Sequence, residues 1–295
     1  MKEIVVLSGK GGVGKSTLVA SLCLILQDKH KVVMTDTDVD APNLALFFEA
    51  APRYSQEVSA SEKAFIDYER CVGCMLCVGV CKFSAMTALD DKPVVIPFFC
   101  EGCGACAIIC PESAIDIRNV VNGKINIADV DNAVIVSGEL TIGESSSGKL
   151  IDEVKITAKK EAERTNADVI ITDGPPGIGC PVIASIKGSD YMIAVTEPTP
   201  PALSDLKRLL EIASYFKIPT GIVINKSDMH PKSRTLIKSF AKRIGLEILS
   251  EIPYDASVPK AISNSMPVVK AFPKAPSSKA INSLGERLKD IIKSR

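Results

Sequence analysis

The sequence has no excess charge of either sign: Lys plus Arg and Asp plus Glu each number 35 in 295 residues, and the pI is about 6.7. A basic face that would follow a phosphate backbone is therefore not expected, and nucleic acid is not a candidate partner. Long apolar runs are missing too; none approaches the roughly 20 residues that a bilayer span needs. The N-terminus enters a strand-like run rather than a signal segment, so the expected compartment is the cytoplasm. Histidine is scarce, and His30 and His230 stand alone and read as surface residues. What is plentiful is apolar residues, 46% of the chain, enough for one large core or two modest ones.

The first half of the pattern is a βαβ unit. Glu3 to Ser8 (EIVVLS) is a short buried-strand run, Thr17 to Gln27 (TLVASLCLILQ) an apolar helix, and Lys31 to Asp36 (KVVMTD) a second buried strand. Residues 50–61 are small and polar, and two dense cysteine clusters follow, separated by a hairpin expected around Asp90-Asp91-Lys92-Pro93. Residues 56–119 are read as an insert, which leaves 1–55 and 120–295 as the host domain. In the host, Ala133–Val136, Asp168–Asp173, Tyr191–Thr196, Thr220–Asn225 and Glu247–Ile252 alternate as strands with helices expected over 149–163, 203–215 and 231–244. That rhythm predicts an α/β fold with a doubly wound, mostly parallel sheet covered on both faces.

Gly9-Lys10-Gly11-Gly12-Val13-Gly14-Lys15-Ser16, with Thr17 next, fits the phosphate-binding pattern G-x-x-x-x-G-K-[ST], between a strand and a helix as that pattern requires. Its glycines let backbone N–H groups turn inward, the helix beginning near Lys15 adds its positive end, and Ser16 offers a hydroxyl to Mg²⁺. Lys15 is expected to reach the β- and γ-phosphates. Carboxylates follow at the carboxyl ends of two strands, in Asp36-Thr37-Asp38-Val39-Asp40 and Thr172-Asp173-Gly174-Pro175-Pro176-Gly177, where an open sheet places ligand contacts.

The second lysine, Lys10, makes the loop resemble the deviant Walker A motif KGGVGK[ST] of the MinD/ParA/Mrp and nitrogenase iron protein class, P-loop NTPases of the SIMIBI type. The resemblance implies that Lys10 reaches the phosphates of a second copy, hence a homodimer closed around ATP; a solvated loop lysine is the plain alternative. It also makes 36–44 a first switch segment in which Asp38 orients the attacking water, with Asp36 and Asp40 as alternatives or as mere capping groups. Asp173 would hold the Mg²⁺ shell with Ser16 and Asp38, and the Gly174 N–H would sense the γ-phosphate. Asn225, in Asn225-Lys226-Ser227-Asp228, and Pro253 resemble the base-contacting walls. An N-K-x-D run suits guanine as well, so ATP is preferred on the resemblance alone.

Eight of the ten cysteines fall in two runs, Cys71-x-x-Cys74-x-x-Cys77-x-x-x-Cys81 and Cys100-x-x-Cys103-x-x-Cys106-x-x-x-Cys110-Pro111. Both fit the bacterial ferredoxin run, in which the fourth cysteine ligates the other cluster. The insert is thus expected to be an α+β bacterial-ferredoxin-like domain. One [4Fe–4S] cluster would take Cys71, Cys74, Cys77 and Cys110, and the other Cys100, Cys103, Cys106 and Cys81. Zinc and disulfides are the alternatives, and zinc leaves the third cysteine of each run unexplained. Lys82 follows Cys81 where Pro111 follows Cys110, a difference expected to alter the local potential. Cys23 reads as core, whereas Cys180, in the turn after Asp173, is read either as a structural residue or as a ligand at a dimer axis. Ile281, Leu284, Leu288, Ile291 and Ile292 form a C-terminal helical stripe that suits a closing helix better than a membrane anchor, since no aromatic residue flanks it.

The whole chain resembles a MinD-superfamily ATPase carrying a ferredoxin-like insert. The implied activity is ATP hydrolysis that gates electron transfer through two clusters to a redox or metallocofactor-assembly protein. A cluster carrier is the second reading, weakened because the C-terminal Cys-x-x-Cys pair of the Mrp branch is missing. A MinD-like positioning ATPase is the third.

Overall fold

The computed structural model describes residues 1–144 and 147–293. Its packing divides the chain into two units, one of Met1–Ser55, Ile125–Glu139 and Ile151–Arg295 and the other of Gln56–Lys124 and Leu140–Leu150. In chain order the elements begin with β1 (Lys2–Ser8), α1 (Lys15–Gln27), β2 (Val32–Asp36), a 3-10 turn (Leu44–Phe48) and β3 (Tyr54–Val58). Then follow β4 (Ser61–Ile66), α2 (Leu76–Val80), β5 (Met86–Leu89), β6 (Lys92–Val95), α3 (Ala105–Ile109) and β7 (Ile115–Val120). The chain continues through β8 (Gly123–Val130), β9 (Ala133–Leu140), α4 (Ser147–Thr165), β10 (Val169–Pro176), α5 (Cys180–Ile186), β11 (Tyr191–Thr196) and α6 (Pro200–Tyr215). It ends with β12 (Thr220–Ile224), α7 (Pro231–Arg243), β13 (Glu247–Glu251), α8 (Ser257–Ser263), α9 (Val268–Ala271) and α10 (Pro276–Lys293).

The large sheet has the order β13-β12-β11-β1-β10-β2-β9-β8-β3 among the described residues. From β13 to β9 every pairing is parallel, as the buried apolar runs require. Alternate side chains of β1 serve opposite faces: Ile4 and Val6 join one core with α1 and α10, while Val5 and Leu7 join another with α5, α6 and α7. The C-terminal stripe is settled as core, because Ile281, Leu284 and Leu288 are buried and Gly285 passes so close to α1 that a Cβ would stand 2.6 Å from Ile25. Among the described residues no helix is long and apolar enough to cross a membrane. The polar stretch expected at 50–61 instead yields β3 and the start of β4; Tyr54, Ser55, Gln56 and Glu57 are exposed, so no hydrophobic period announces that edge strand.

The second unit, roughly 80 residues, pairs β4 with β7 and β5 with β6, both antiparallel, and packs α2 against α3. It extends beyond the expected 56–119 at two places, taking in 120–124 and 140–150. Contacts that hold the later segment include Thr141 N–H donating to the Asn122 carbonyl at 2.9 Å, Gly143 against the Phe98 ring, where a Cβ would meet Cε2 at 2.5 Å, and the Lys63 ammonium meeting Glu144 at 2.9 Å. The expected hairpin is present, its turn made by Asp90 and Asp91 at φ 48° and 57°. The buried core here is Ala64, Ala85, Met86, Ile115 and three cysteines, Cys77, Cys100 and Cys106. So little apolar area in so small a unit calls for a staple.

Candidate nucleotide cavity and cysteine sites

The loop between β1 and α1 opens a cavity of about 570 Å³, lined by Gly11, Gly12, Gly14, Lys15, Ser16 and Thr17 on one side and by Asp38, Asn43, Leu46 and Phe47 on another. Gly12 and Gly14 sit at φ 75° and 94°, which turns the backbone around the space and starts α1 at Lys15. Gly9 is demanded by packing, since a Cβ would stand 2.5 Å from that of Asp205 on α6. Val13 is buried and anchors the loop in the core.

Beneath the cavity lies a carboxylate pair. Asp173 is 1% exposed, and its Oδ1 has no hydrogen-bond partner. Burial, then the nearby Asp36, pushes its carboxyl up to about 8, against the Ser16 hydroxyl and Lys15. An orphaned carboxylate oxygen beside the Ser16 hydroxyl is an oxygen donor set that fits Mg²⁺, and the nearby Lys15 ammonium suits the anion that such a cation would accompany. Asp36 is spent locally: it accepts N–H bonds from Asp38 (3.1 Å), Asn43 (2.9 Å) and Leu44 (2.9 Å), and burial still lifts it to about 6. The capping reading of Asp36 therefore holds. Asp38 is half-buried, lines the cavity and is raised by burial while Lys15 pulls it down. Asp40 is exposed.

Asn225 and Pro253 are not among the lining residues; the far wall carries Ile262 and Ser265 of the segment beginning at α8. Asn225 donates to the Val13 carbonyl at 2.7 Å and fills the place a Cβ on Gly14 would need, so it braces the phosphate loop from behind. Lys226 adds a bond to the Gly12 carbonyl at 3.1 Å. Gly174 is buried in β10 because Leu7 leaves no room for a side chain, a Cβ meeting its Cδ2 at 2.3 Å. Lys10 turns to Glu197, 2.5 Å away, which also meets Lys226 at 3.0 Å. Burial opposes charge on Glu197, but the two lysines hold its carboxyl below the ordinary value. Sequence reasoning passed over Glu197, although an acid at the carboxyl end of β11 was visible beside the other strand-end carboxylates.

In the second unit the eight clustered cysteines converge on two small cavities. Cys71, Cys74, Cys77 and Cys110 line one, with Pro93 and Ile115, and Cys81, Cys100, Cys103 and Cys106 line the other, with Ala64 and Ile117. These are the two foursomes that the resemblance to the bacterial ferredoxin run implies. All ten cysteines are free thiols. Backbone N–H groups reach sulfur: Ala64 to Cys100 at 3.4 Å, Ala85 to Cys81 and Ala114 to Cys110 at 3.3 Å. Burial pushes the Cys77 and Cys106 thiols up, so a bare thiolate there is disfavoured until a cation meets it. Thiols, apolar walls and inward N–H donors fit an iron–sulfur cluster.

Cys23 is fully buried, with its thiol pushed up by burial. Cys180 is exposed at the first turn of α5. His230 caps α7, its Nδ1 accepting from Ser233. His30, expected at the surface, has a side chain only 12% exposed, tucked beside Asp168.

Sheet, loop and carboxylates together define a P-loop nucleotide-binding protein with a MinD-like, mostly parallel α/β core. The family profile described as the CobQ/CobB/MinD/ParA nucleotide binding domain matches residues 4–268, and the chain belongs to that family. It is 36% identical over 290 residues to an uncharacterized protein of Methanocaldococcus jannaschii, covering 98% of this chain and 97% of that one. It is 24% identical to an iron-sulfur cluster carrier protein of Aquifex aeolicus, over 99% of this chain and 68% of the relative. Its fold matches that of the septum site-determining protein MinD of Pyrococcus horikoshii, solved with Mg-ADP, at a TM-score of 0.61 and 18% identity, over 99% and 97% of the two chains.

Proposed function

We propose that this chain is an ATP-hydrolysing switch that carries two [4Fe–4S] clusters in its second unit and couples nucleotide state to one-electron transfer to a protein partner. The observation that carries the reading is the coexistence, in one chain, of a phosphate-loop cavity and two cysteine foursomes sorted by the crossed pattern. Gly11 to Thr17 would hold the phosphates, Lys15 the charge between them, and Ser16 with Asp173 the Mg²⁺. Asp38, on the cavity wall, would orient the attacking water, and Lys10, released from Glu197, would reach the nucleotide of a second copy. The clusters supply one-electron storage; the chain's own share is to ligate them, donate N–H groups to their sulfurs and exclude water with apolar walls.

The relatives named iron-sulfur cluster carrier proteins, at 24% to 26% identity, favour a second reading in which the clusters are cargo. After Cys110 the chain has Cys180 alone and no Cys-x-x-Cys pair, which speaks for resident clusters. The test is anaerobic reconstitution followed by measurement of cluster potentials, electron-transfer rate and transfer to an apo-ferredoxin, with and without Mg-ATP. Potentials or rates that move with ATP while iron stays bound support the switch. Iron passing to the acceptor supports the carrier, and colourless protein ends both.

A further inference from the structure

The second unit is a near-perfect internal twofold with an offset of 29 residues, and it is broken at one position that matters. Cys71, Cys74, Cys77 and Cys81 map onto Cys100, Cys103, Cys106 and Cys110 with no insertion. The backbone obeys the same offset: Gly73 and Gly102 have φ 74° and 64°, Met75 and Gly104 have 61° and 78°, and Ser84 and Ser113 have 55° and 47°. Hydrogen bonds repeat as well. Asp67 N–H donates to the Ala114 carbonyl at 2.8 Å, and Ile96 N–H to the Ala85 carbonyl at 2.7 Å. Ala85 donates to Cys81 Sγ and Ala114 to Cys110 Sγ, both at 3.3 Å.

One donor has no mate. Ala64 N–H donates to Cys100 Sγ at 3.4 Å, and the residue that should serve Cys71 in the same way is Pro93, which has no N–H. Both residues occupy their expected places, Ala64 lining the cavity of Cys100 and Pro93 that of Cys71.

Resting on the iron–sulfur reading above, we propose that the two cluster sites are graded: the site of Cys81, Cys100, Cys103 and Cys106 takes the first electron, and the site of Cys71, Cys74, Cys77 and Cys110 the second. Each reduction adds one electron from a one-electron donor, with no bond made or broken. It increases negative charge on sulfur, which a fixed N–H stabilises without reorganisation. Lys82, beside Cys81, pushes the same way, though it is exposed and screened. Burial pushes the other way, since Cys100 is 8% exposed while Cys71 is half-buried. The fixed donor outranks it because the water that reaches Cys71 must reorient for each electron. The grading gives the pair a direction: the site beside Pro93 is the stronger reductant and delivers to the site beside Ala64.

The test is a redox titration followed by electron paramagnetic resonance on reconstituted, full-length protein, first shown to hold about eight irons per chain. Two separate one-electron waves are expected. Pro93→Ala restores the missing N–H and should raise the lower wave, narrowing the gap. Ala64→Pro should lower the upper wave, and the twofold mate already accommodates proline on the same backbone, so the strand tolerates it. The double exchange should reverse the order. Protein with eight irons whose waves ignore both substitutions, or whose upper wave is the one moved by Pro93→Ala, overturns the grading and leaves the cluster reading intact. Protein that binds no iron overturns both.

Discussion

Replacing Asp173 by asparagine should make the empty protein more stable and at the same time abolish its response to Mg²⁺-nucleotide. The carboxyl is 1% exposed, one oxygen has no partner, and its value stands at about 8 against an ordinary 3.8. Because the folded-state value is raised, the proton is held more tightly in the folded chain; stability from this group is complete below the unfolded value and is lost as pH rises through the folded one. At about 1.4 kcal/mol per unit, the cost of the ionised unfolded reference is about 3 kcal/mol at pH 6 and about 5 kcal/mol at pH 8, as orders of magnitude. Asp36 shares the titration, so the window belongs to the pair. Between those pH values the wild-type apo protein should lose about 2 kcal/mol, roughly 5 °C of melting temperature, and Asp173→Asn should flatten that slope. Thermal melts at pH 6 and pH 8, each with and without Mg-ATP, check both halves. A variant that melts below wild type at pH 8, or that still gains stability from Mg-ATP, refutes the argument that Asp173 is a strained cation ligand.

Glu197→Gln removes the anion between Lys10 and Lys226; ATP should then bind about fivefold tighter relative to ADP, about 1 kcal/mol, and equal affinities before and after would discard the restraint. Asn225→Ala takes away the brace on the Val13 carbonyl and should weaken nucleotide binding about tenfold, about 1.4 kcal/mol, by equal factors for ATP and GTP; a loss confined to one base would return Asn225 to base recognition. On the proposed iron–sulfur reading, stripping iron from reconstituted protein with a chelator should make residues 56–124 protease-sensitive while nucleotide titrations stay unchanged, since no residue lining the nucleotide cavity lies in the second unit; a stripped unit that resists protease would mean its small core suffices.

The sheet was legible because its central strands are buried on both faces: EIVVLS, KVVMTD and DVIITD have no period to misread, only length and flanking turns. The cysteine foursomes were legible because both runs resemble the bacterial ferredoxin run, and that resemblance implies the crossing; the spacing alone would also allow each run to form its own foursome. What escaped depends on tertiary contact. Tyr54–Val58 is an edge strand exposed on both faces, so hydrophobicity carries no trace of it. Leu140–Leu150 joins the second unit through contacts that include Phe98, an ion pair to Lys63 and a backbone bond to Asn122, partners about 45, 80 and 20 residues away in sequence. The brace that Asn225 gives the phosphate loop was not legible, because the motif names a residue type and not its tertiary partner. Its amide donates to the Val13 carbonyl.

Hydrogen bonding at Thr37 shows how the carboxylate pair can speak to the rest of the chain. Its N–H donates to the Asp173 carbonyl at 2.9 Å, and its hydroxyl lies 3.1 Å from that carbonyl and 2.9 Å from Ser185 Oγ on α5. The next residue but one before Asp38 is Asp36, whose carboxylate gathers the N–H groups of Asp38, Asn43 and Leu44. A cation arriving at Asp173 would displace the proton that burial holds there and offset the repulsion between the two carboxylates, which keeps Asp36 ionised and its three bonds to the segment 38–44 in place. That segment runs through Leu46 and Phe47 on the cavity wall into β3, where the chain enters the second unit at Gln56. Charge at Asp173 and order in the segment that leads to β3 are thus joined by covalent bonds and a handful of N–H donors.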